Sequence, residues 1–371
     1  MPAALVMALS PINVTRTFLP PMEEYTRLIA EAYSTHVLTN NGPLHRRLES
    51  ALRDRLGAPH LLLMSNGTLA IQLAIRALGV TGKVITTPYS YVATTSALLW
   101  EGCEPVFVDV LKDTMCIDPS LIEAAITPGT TAILATHVYG VPCDVEAIDA
   151  IARKHGLKVI YDAAHAFDVR YKGRPITAYG DASTLSFHAT KLFHTVEGGA
   201  TIVHSEKAEH DTRLLRSFGH IHDEHFSLGM NAKLSEVHAA MGLALLPHME
   251  RIIADRKEVC AAYDAAFAGL PLRAIVMPRG TEWNYAYYPV LLQDGSERQR
   301  VFDHLAAEGI IARRYFYPSL NTLPYVTAGA MPVSEDLADR VLCLPLFAGM
   351  TDQERDRVCT AMVGAFSLAR R

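Results

Sequence analysis

The chain has 371 residues, 50% of them hydrophobic and 20% charged, with a formal net charge of −5. A sizeable core in two domains is expected, and the acidic balance argues against a non-specific nucleic-acid binder, which carries a basic stripe. The six cysteines show no CxxC spacing and read as reduced thiols.

The first charged residue is Arg16, so no basic segment precedes the mildly apolar start, and no apolar run approaches about 18 residues. Neither a signal peptide nor a membrane span is expected, and the chain reads as cytoplasmic. Residues 1–20 are proline-rich and aperiodic, an arm over the body. A helix is predicted over 22–33, a loop at 38–43 and a helix over 44–56 stopped by Gly57.

From His60 the pattern becomes strand-then-helix. Strands are predicted at 60–64, 83–87, 105–110, 131–136 and 158–161. Helices are predicted at 69–78, 91–101, from Asp118-Pro119, and at 145–155 capped by Asp144. That alternation implies a mostly parallel sheet with helices on both faces. Strands at 181–185 and 200–204 follow, then a helix over 206–217, a polar loop to Met230 and a long amphipathic helix over 235–264. Beyond Pro271 the pattern changes. Strands at 285–292 and 310–315 and helices at 296–308, 336–342 and 352–368 read as a smaller α+β domain. The expected division is 1–250 and 251–371.

Between the strands at 181–185 and 200–204 lies one short connection, Ser186-Phe-His-Ala-Thr-Lys-Leu-Phe-His-Thr-Val-Glu-Gly-Gly-Ala200, with Lys191 in its middle. Strand ends of open α/β sheets are where small molecules bind. Small and apolar neighbours lower an amine's pKa and free it to attack a carbonyl.

Four further features bear on this lysine. Ser65-Asn66-Gly67-Thr68 joins a strand to a helix, either a phosphate cradle around Gly67 and Thr68 or an ordinary helix cap by Ser65 or Thr68. Asp162 ends a strand, where it either pairs with a protonated pyridine nitrogen or serves as a helix N-cap. Tyr91 either stacks on a flat ring or packs at a helix start. Ser186, five residues before Lys191, is placed to donate to a phosphate. Lysine, phosphate cradle and aspartate together are the set that pyridoxal 5'-phosphate requires.

The stretches Ser65-Asn-Gly-Thr-Leu-Ala-Ile-Gln-Leu-Ala74, Asp162-Ala-Ala-His-Ala166, Ser186-Phe-His-Ala-Thr-Lys191 with Glu197-Gly-Gly199, and Leu228-Gly-Met-Asn231 resemble the DegT/DnrJ/EryC1/StrS family. The resemblance runs from about Asn40 to the C-terminal helix. It implies a fold-type-I, pyridoxal-phosphate-dependent aminotransferase acting on nucleotide-linked keto-sugars. By that resemblance Lys191 would bond to the cofactor and shuttle the proton, and Asp162 would pair with the ring nitrogen. His165 would face the ring's hydroxyl edge and Tyr91 would stack on its face, while Gly67, Thr68 and Ser186 would hold the phosphate. Asn231 would reach the phosphate of a neighbouring subunit in a homodimer.

Two departures stand out. His165 occupies a position that is glutamine in many relatives, and Asn231-Ala232-Lys233 stands where the family has Asn-Tyr-Arg. Within the family, Leu38-Thr-Asn-Asn-Gly-Pro43 and Phe187-His-Ala-Thr-Lys-Leu-Phe-His-Thr195 look like members that aminate a dTDP-linked 4-keto-6-deoxyglucose with L-glutamate. Related dehydratases carry histidine at the lysine position, so Lys191 points to transamination.

His220, His222 and His225 lie close in the polar loop, but structural zinc sites add cysteines or distant histidines, and no metal is expected. His188 is a further candidate for substrate contact. Arg313 and Tyr315, in Arg313-Arg314-Tyr315-Phe316-Tyr317-Pro318, either face the sugar nucleotide or belong to an edge strand. A cofactor-binding regulator would keep the pocket without turnover, yet Lys191 is intact and no DNA-binding element is evident. A desulfurase would need a cysteine near the cofactor, and none lies in the Lys191 stretch.

Overall fold

The computed structural model describes residues 10–367. Its centre is a seven-stranded sheet: β1 (Leu61–Met64), β2 (Lys83–Thr86), β3 (Glu104–Phe107), β4 (Thr130–Thr136), β5 (Lys158–Asp162), β6 (Ala182–Ser186) and β7 (Gly199–Val203). The strand order is β1-β7-β6-β5-β4-β2-β3. Neighbours from β6 through β3 pair parallel, while β7 is antiparallel to both β6 and β1.

The exception has a local cause. Parallel neighbours need a crossover of a dozen or more residues, usually a helix, and no helix lies between Ser186 and Gly199. The chain therefore turns straight back, and its loop projects from the carboxyl edge of β6. Because β1 is antiparallel to β7, β1 ends at that same edge. Every motif singled out around Lys191, Asp162 and Gly67 thus emerges on one side of the sheet.

Helices cover both faces. They are α1 (Met22–Thr35), α2 (Pro43–Leu56), α3 (Gly67–Ala77), α4 (Ala93–Trp100), α5 (Pro119–Ala125), α6 (Val145–His155), α7 (Glu206–Leu215), α8 (Glu236–Leu245) and α9 (Met249–Ala266). Alternate β4 residues serve different layers. Ile133 and Ala135 pack with α2, α6 and α8, whereas Ala132 and Leu134 pack with α3, α4 and α7. Burial on both faces explains why β1 reads as an unbroken apolar run rather than an alternating one.

A second core forms from α9, α10 (Gly295–Ala307), α12 (Asp352–Ser367) and the antiparallel strands β8 (Arg273–Ala274), β9 (Tyr288–Leu291) and β10 (Val341–Leu344). The α9 helix spans both cores, with Met249 and Ile252 in the first and Val259 and Tyr263 in the second. Between β9 and β10 lies α11 (Pro332–Arg340), whose first turn is held from the large sheet. The Asp109 carboxylate, just after β3, accepts from Val333 N and Ser334 N at 2.8 Å each.

Several boundaries differ from expectation. The helix expected over 235–264 is broken after α8 by a 3₁₀ turn, Leu246–His248, because Pro247 lacks the N–H that an unbroken helix would use. The helix expected at 336–342 begins earlier, with Pro332 in its first turn, and ends at Arg340. Its last two residues instead open β10, a fully buried run. The strand expected at 310–315 is ordered as one only at Ile310–Ile311, which pairs parallel with Ile12–Asn13 of the N-terminal arm. Residues 1–9 of that arm and Leu368 of the last helix lie outside the described residues. The polar loop at 217–230 contains a small hairpin, His220–Ile221 against Glu224–His225. Among the described residues, no helix is long and apolar enough to cross a membrane.

Candidate active site

The loop between β6 and β7 is anchored by aromatic packing. Phe187 and Phe193 are buried and meet edge to face at 4.9 Å, and Phe167 stacks on Phe193 at 4.7 Å. A Cβ on Gly199 would stand 2.7 Å from the Asn66 backbone, so the loop's exit touches the turn before α3. Rigid at both ends, the loop holds Lys191 half-buried over the sheet edge. Lys191 Nζ donates to Tyr287 Oη at 3.3 Å. Burial pushes the amine below the ordinary lysine range, against the pull of Asp162, Tyr315 and Tyr91. A lysine so placed exposes a larger fraction of neutral, nucleophilic amine.

Asp162 is the last residue of β5 and is buried. Its Oδ2 accepts from Thr94 Oγ1 at 2.7 Å and its Oδ1 from Ala164 N at 3.0 Å. Burial raises this carboxyl, while the two donors and Lys191 pull it down. A carboxylate has about four acceptor positions, so two donors leave room for another N–H from the cavity.

His165 is buried and held well below its ordinary pKa by burial and then by Lys191, so its ring is neutral. Its Nδ1 accepts from Tyr139 N at 3.1 Å, which places the ring proton on Nε2. The imidazole lies parallel to Phe316 at 5.3 Å.

At the start of α3, the Asn66 side chain accepts from Leu69 N at 2.9 Å. The cap is therefore Asn66, neither Ser65 nor Thr68. The first N–H groups of a helix lack partners within it and favour anions. A Cβ on Gly67 would stand 2.8 Å from Ser186 Cβ, so only glycine permits this approach.

These groups share one cavity of about 390 Å³. Gly67, Thr68, Tyr91, Asp162, His165, Ser186, His188, Lys191, Arg313 and Tyr315 all line it. Tyr91 precedes α4 rather than lying in it, and it is exposed. His188 is exposed, with its Nδ1 paired to Thr190 Oγ1 at 2.8 Å. Arg313 pairs through its backbone with Cys343 of β10, which aims the Arg313–Tyr315 segment at the cavity. Asn231 is the exception. It is exposed, accepts from Lys233 Nζ at 2.8 Å and does not line this cavity.

Sequence reasoning missed Tyr287, Thr94, Tyr139 and Phe316. Tyr287 lay inside a predicted strand, where alternation marked it only as one more side chain. Thr94 and Tyr139 carried no signal, since their partners are distant in the chain. Among the described residues, no three His, Cys, Asp or Glu side chains are grouped to hold a metal ion.

A model of the DegT/DnrJ/EryC1/StrS aminotransferase family matches residues 22–363. A Shigella dysenteriae protein named dTDP-4-amino-4,6-dideoxy-D-glucose transaminase is 42% identical over 349 residues, covering 92% of this chain and 95% of its own. An Escherichia coli protein of the same name is 39% identical over 367 residues, covering 95% and 98%. Among solved structures, DesI in the presence of its TDP-sugar product aligns over 100% of this chain and 97% of its own, with a TM-score of 0.91 at 34% identity. S. venezuelae DesV in complex with a ketimine intermediate aligns over 93% and 95%, with a TM-score of 0.87 at 30% identity.

Proposed function

The chain belongs to the DegT/DnrJ/EryC1/StrS aminotransferase family, and from that premise we propose its substrates, its cofactor and the roles of its residues. It is a nucleotide-sugar aminotransferase. Its amino donor is L-glutamate, its acceptor is dTDP-4-keto-6-deoxyglucose, and its product is dTDP-4-amino-4,6-dideoxyglucose. The cofactor is pyridoxal 5'-phosphate and the working form is a cytoplasmic homodimer. The names of the two bacterial relatives support this acceptor over a GDP-, UDP- or 3-keto-linked one.

One observation carries the cofactor reading. A buried carboxylate with spare acceptor capacity, a half-buried lysine and a glycine-opened helix start line one cavity. Pyridoxal phosphate, when bound, supplies an aldehyde that takes amines and a pyridinium ring that accepts the electron pair left when a C–H bond breaks. Lys191 would hold the aldehyde end of the cofactor and would carry the proton at the reacting carbon. Asp162 pairs with the ring nitrogen. The Nε2–H of His165 donates to the ring's hydroxyl edge, and Tyr91 covers one ring face. Ser186, Thr68 and the Gly67 backbone hold the phosphate against the α3 dipole. His188, Arg313 and Tyr315 contact the sugar nucleotide, with the Arg313 guanidinium suited to a diphosphate. Asn231, outside this cavity, serves the partner subunit's phosphate. The division into residues 1–250 and 251–371 belongs to the same proposal, and it is supported by the two cores that α9 joins.

The test is spectroscopic. Protein loaded with pyridoxal phosphate should show a visible band that L-glutamate bleaches and dTDP-4-keto-6-deoxyglucose restores, with the amino sugar detected by mass spectrometry. Lys191→Ala should lose the band. Bleaching without recovery would discard the proposed sugar and keep the transaminase.

A further inference from the structure

Behind Asp162 runs a file of buried hydroxyls. Thr136 Oγ1 donates to Ser90 Oγ at 3.0 Å, Ser90 Oγ lies 2.8 Å from Thr94 Oγ1, and Thr94 Oγ1 donates to Asp162 Oδ2 at 2.7 Å. All four residues are nearly inaccessible, at 2%, 2%, 0% and 4% exposure. They come from four places: the end of β4, the turn after β2, the first turn of α4 and the end of β5. Thr136 and Asp162 are also register partners in the sheet.

The direction of the file follows from proton counting. Each hydroxyl has one proton to give. Thr94 gives its proton to the carboxylate, so the Ser90–Thr94 contact must be Ser90 donating. Ser90 then has no proton left for Thr136, which must donate to it. All three bonds point the same way and end on the anion. Such a file polarises each successive donor, and an ionised acceptor gains most from it.

We propose that Thr94 is a positioning residue for the reaction, with Ser90 and Thr136 behind it as a one-way donor file that keeps Asp162 ionised and turned toward the cofactor's ring nitrogen. The inference rests on the reading of Asp162 as that nitrogen's partner. Burial alone works against the carboxylate, and the file opposes it. The titratable groups against Asp162 are Lys191 from the loop after β6, His165 from the turn after β5 and Tyr287 from the segment before β9, and Tyr91, His188, Glu197, Arg313 and Tyr315 line the same cavity. His165 is neutral and burial holds the Tyr287 hydroxyl protonated. Lys191 is the charged group that acts on Asp162 directly, and it and the other cavity groups are common to every variant below.

The experiment measures protonation of Asp162 in cofactor-free protein by difference infrared spectroscopy against Asp162→Asn. In Thr94→Val, which keeps the shape and removes the donor, the carboxylic-acid carbonyl band should appear at a pH about one to two units higher than in wild type, the worth of one hydrogen bond to a charged group. Thr94→Ser should restore the wild-type titration. Ser90→Ala and Thr136→Val should move it less, in that order, as the break recedes from the carboxylate. These two variants also decide the matter should Thr94→Val fail to fold. In loaded protein, nitrogen NMR with ring-labelled pyridoxal phosphate should show the ring nitrogen less protonated in Thr94→Val and restored in Thr94→Ser. An unchanged Asp162 titration across the series overturns the inference. Failure of wild-type protein to take up pyridoxal phosphate would overturn the cofactor reading instead, leaving the infrared result to stand by itself.

Discussion

Lys191 and Tyr287, 96 residues apart, meet at 3.3 Å across the seam between the large sheet and the strands of the second core. Burial pushes the Tyr287 hydroxyl well above its ordinary pKa, so it stays protonated and meets the lysine as a neutral phenol. The contact locates the reactive amine. Tyr287→Phe should leave the fold and the visible cofactor band intact. It should lower kcat/KM about 2- to 12-fold, the worth of one neutral hydrogen bond. Steady-state kinetics beside a thermal melt checks this, and an unchanged kcat/KM would make the contact incidental.

The lysine's own titration has a worked sign. Burial depresses its folded-state pKa below the unfolded value. The unfolded chain therefore binds the proton more readily, and stability rises with pH between the two values. In cofactor-free protein, Lys191→Met should be more stable than wild type at neutral pH. That advantage should shrink as pH climbs into the ordinary lysine range. Denaturant unfolding at a series of pH values tests it, and a pH-independent difference would contradict it.

Beneath the sheet, Arg216 and Glu49 form a buried pair at 2.8 Å, with Arg216 also donating to Leu63 O at 2.9 Å. Burial pushes the Glu49 carboxyl up, yet His45 and Arg216 hold it well below the usual carboxylate range. Removing one partner leaves the other uncompensated, so Arg216→Met should cost about 3–5 kcal/mol. For Glu49→Gln the sign follows from a depressed folded pKa. The stability lost relative to wild type should be full above about pH 5 and should fade below about pH 4. Urea unfolding at neutral and acid pH reads both.

At the phosphate end, Gly67→Ala would put a Cβ 2.8 Å from Ser186 Cβ. Overpacking of this kind costs about 1–3 kcal/mol. Borne by the cradle, that corresponds to about 5- to 150-fold in affinity for pyridoxal phosphate. Fluorescence titration of cofactor-free protein measures it. Unchanged affinity would show that the turn yields without disturbing the site.

Much of this molecule was legible in the linear chain. The strand–helix alternation from His60, the short connection carrying Lys191 and the aspartate ending β5 are local patterns, each set by a few neighbouring residues. Periodicity, caps and turn formers act within about one helical turn or one strand, so a linear reading captures them. The same holds for Pro247, whose missing N–H broke the long helix and whose effect was readable in principle.

The remainder depended on which distant segments meet. Nothing near Thr94 in the chain announces that its hydroxyl will reach Asp162, 68 residues on, because that contact exists only once β4 lies between β2 and β5. Tyr287 finds Lys191 only after the second core packs against the first. Val341 and Leu342 looked helical by spacing, yet β9 offered them a ladder, and pairing in a buried sheet outweighed local preference. By itself, the sequence determined the βα alternation and the chemical types gathered at the strand ends. The tertiary structure alone decided the order of the strands, and with it which hydroxyl, phenol and carboxylate close around the lysine.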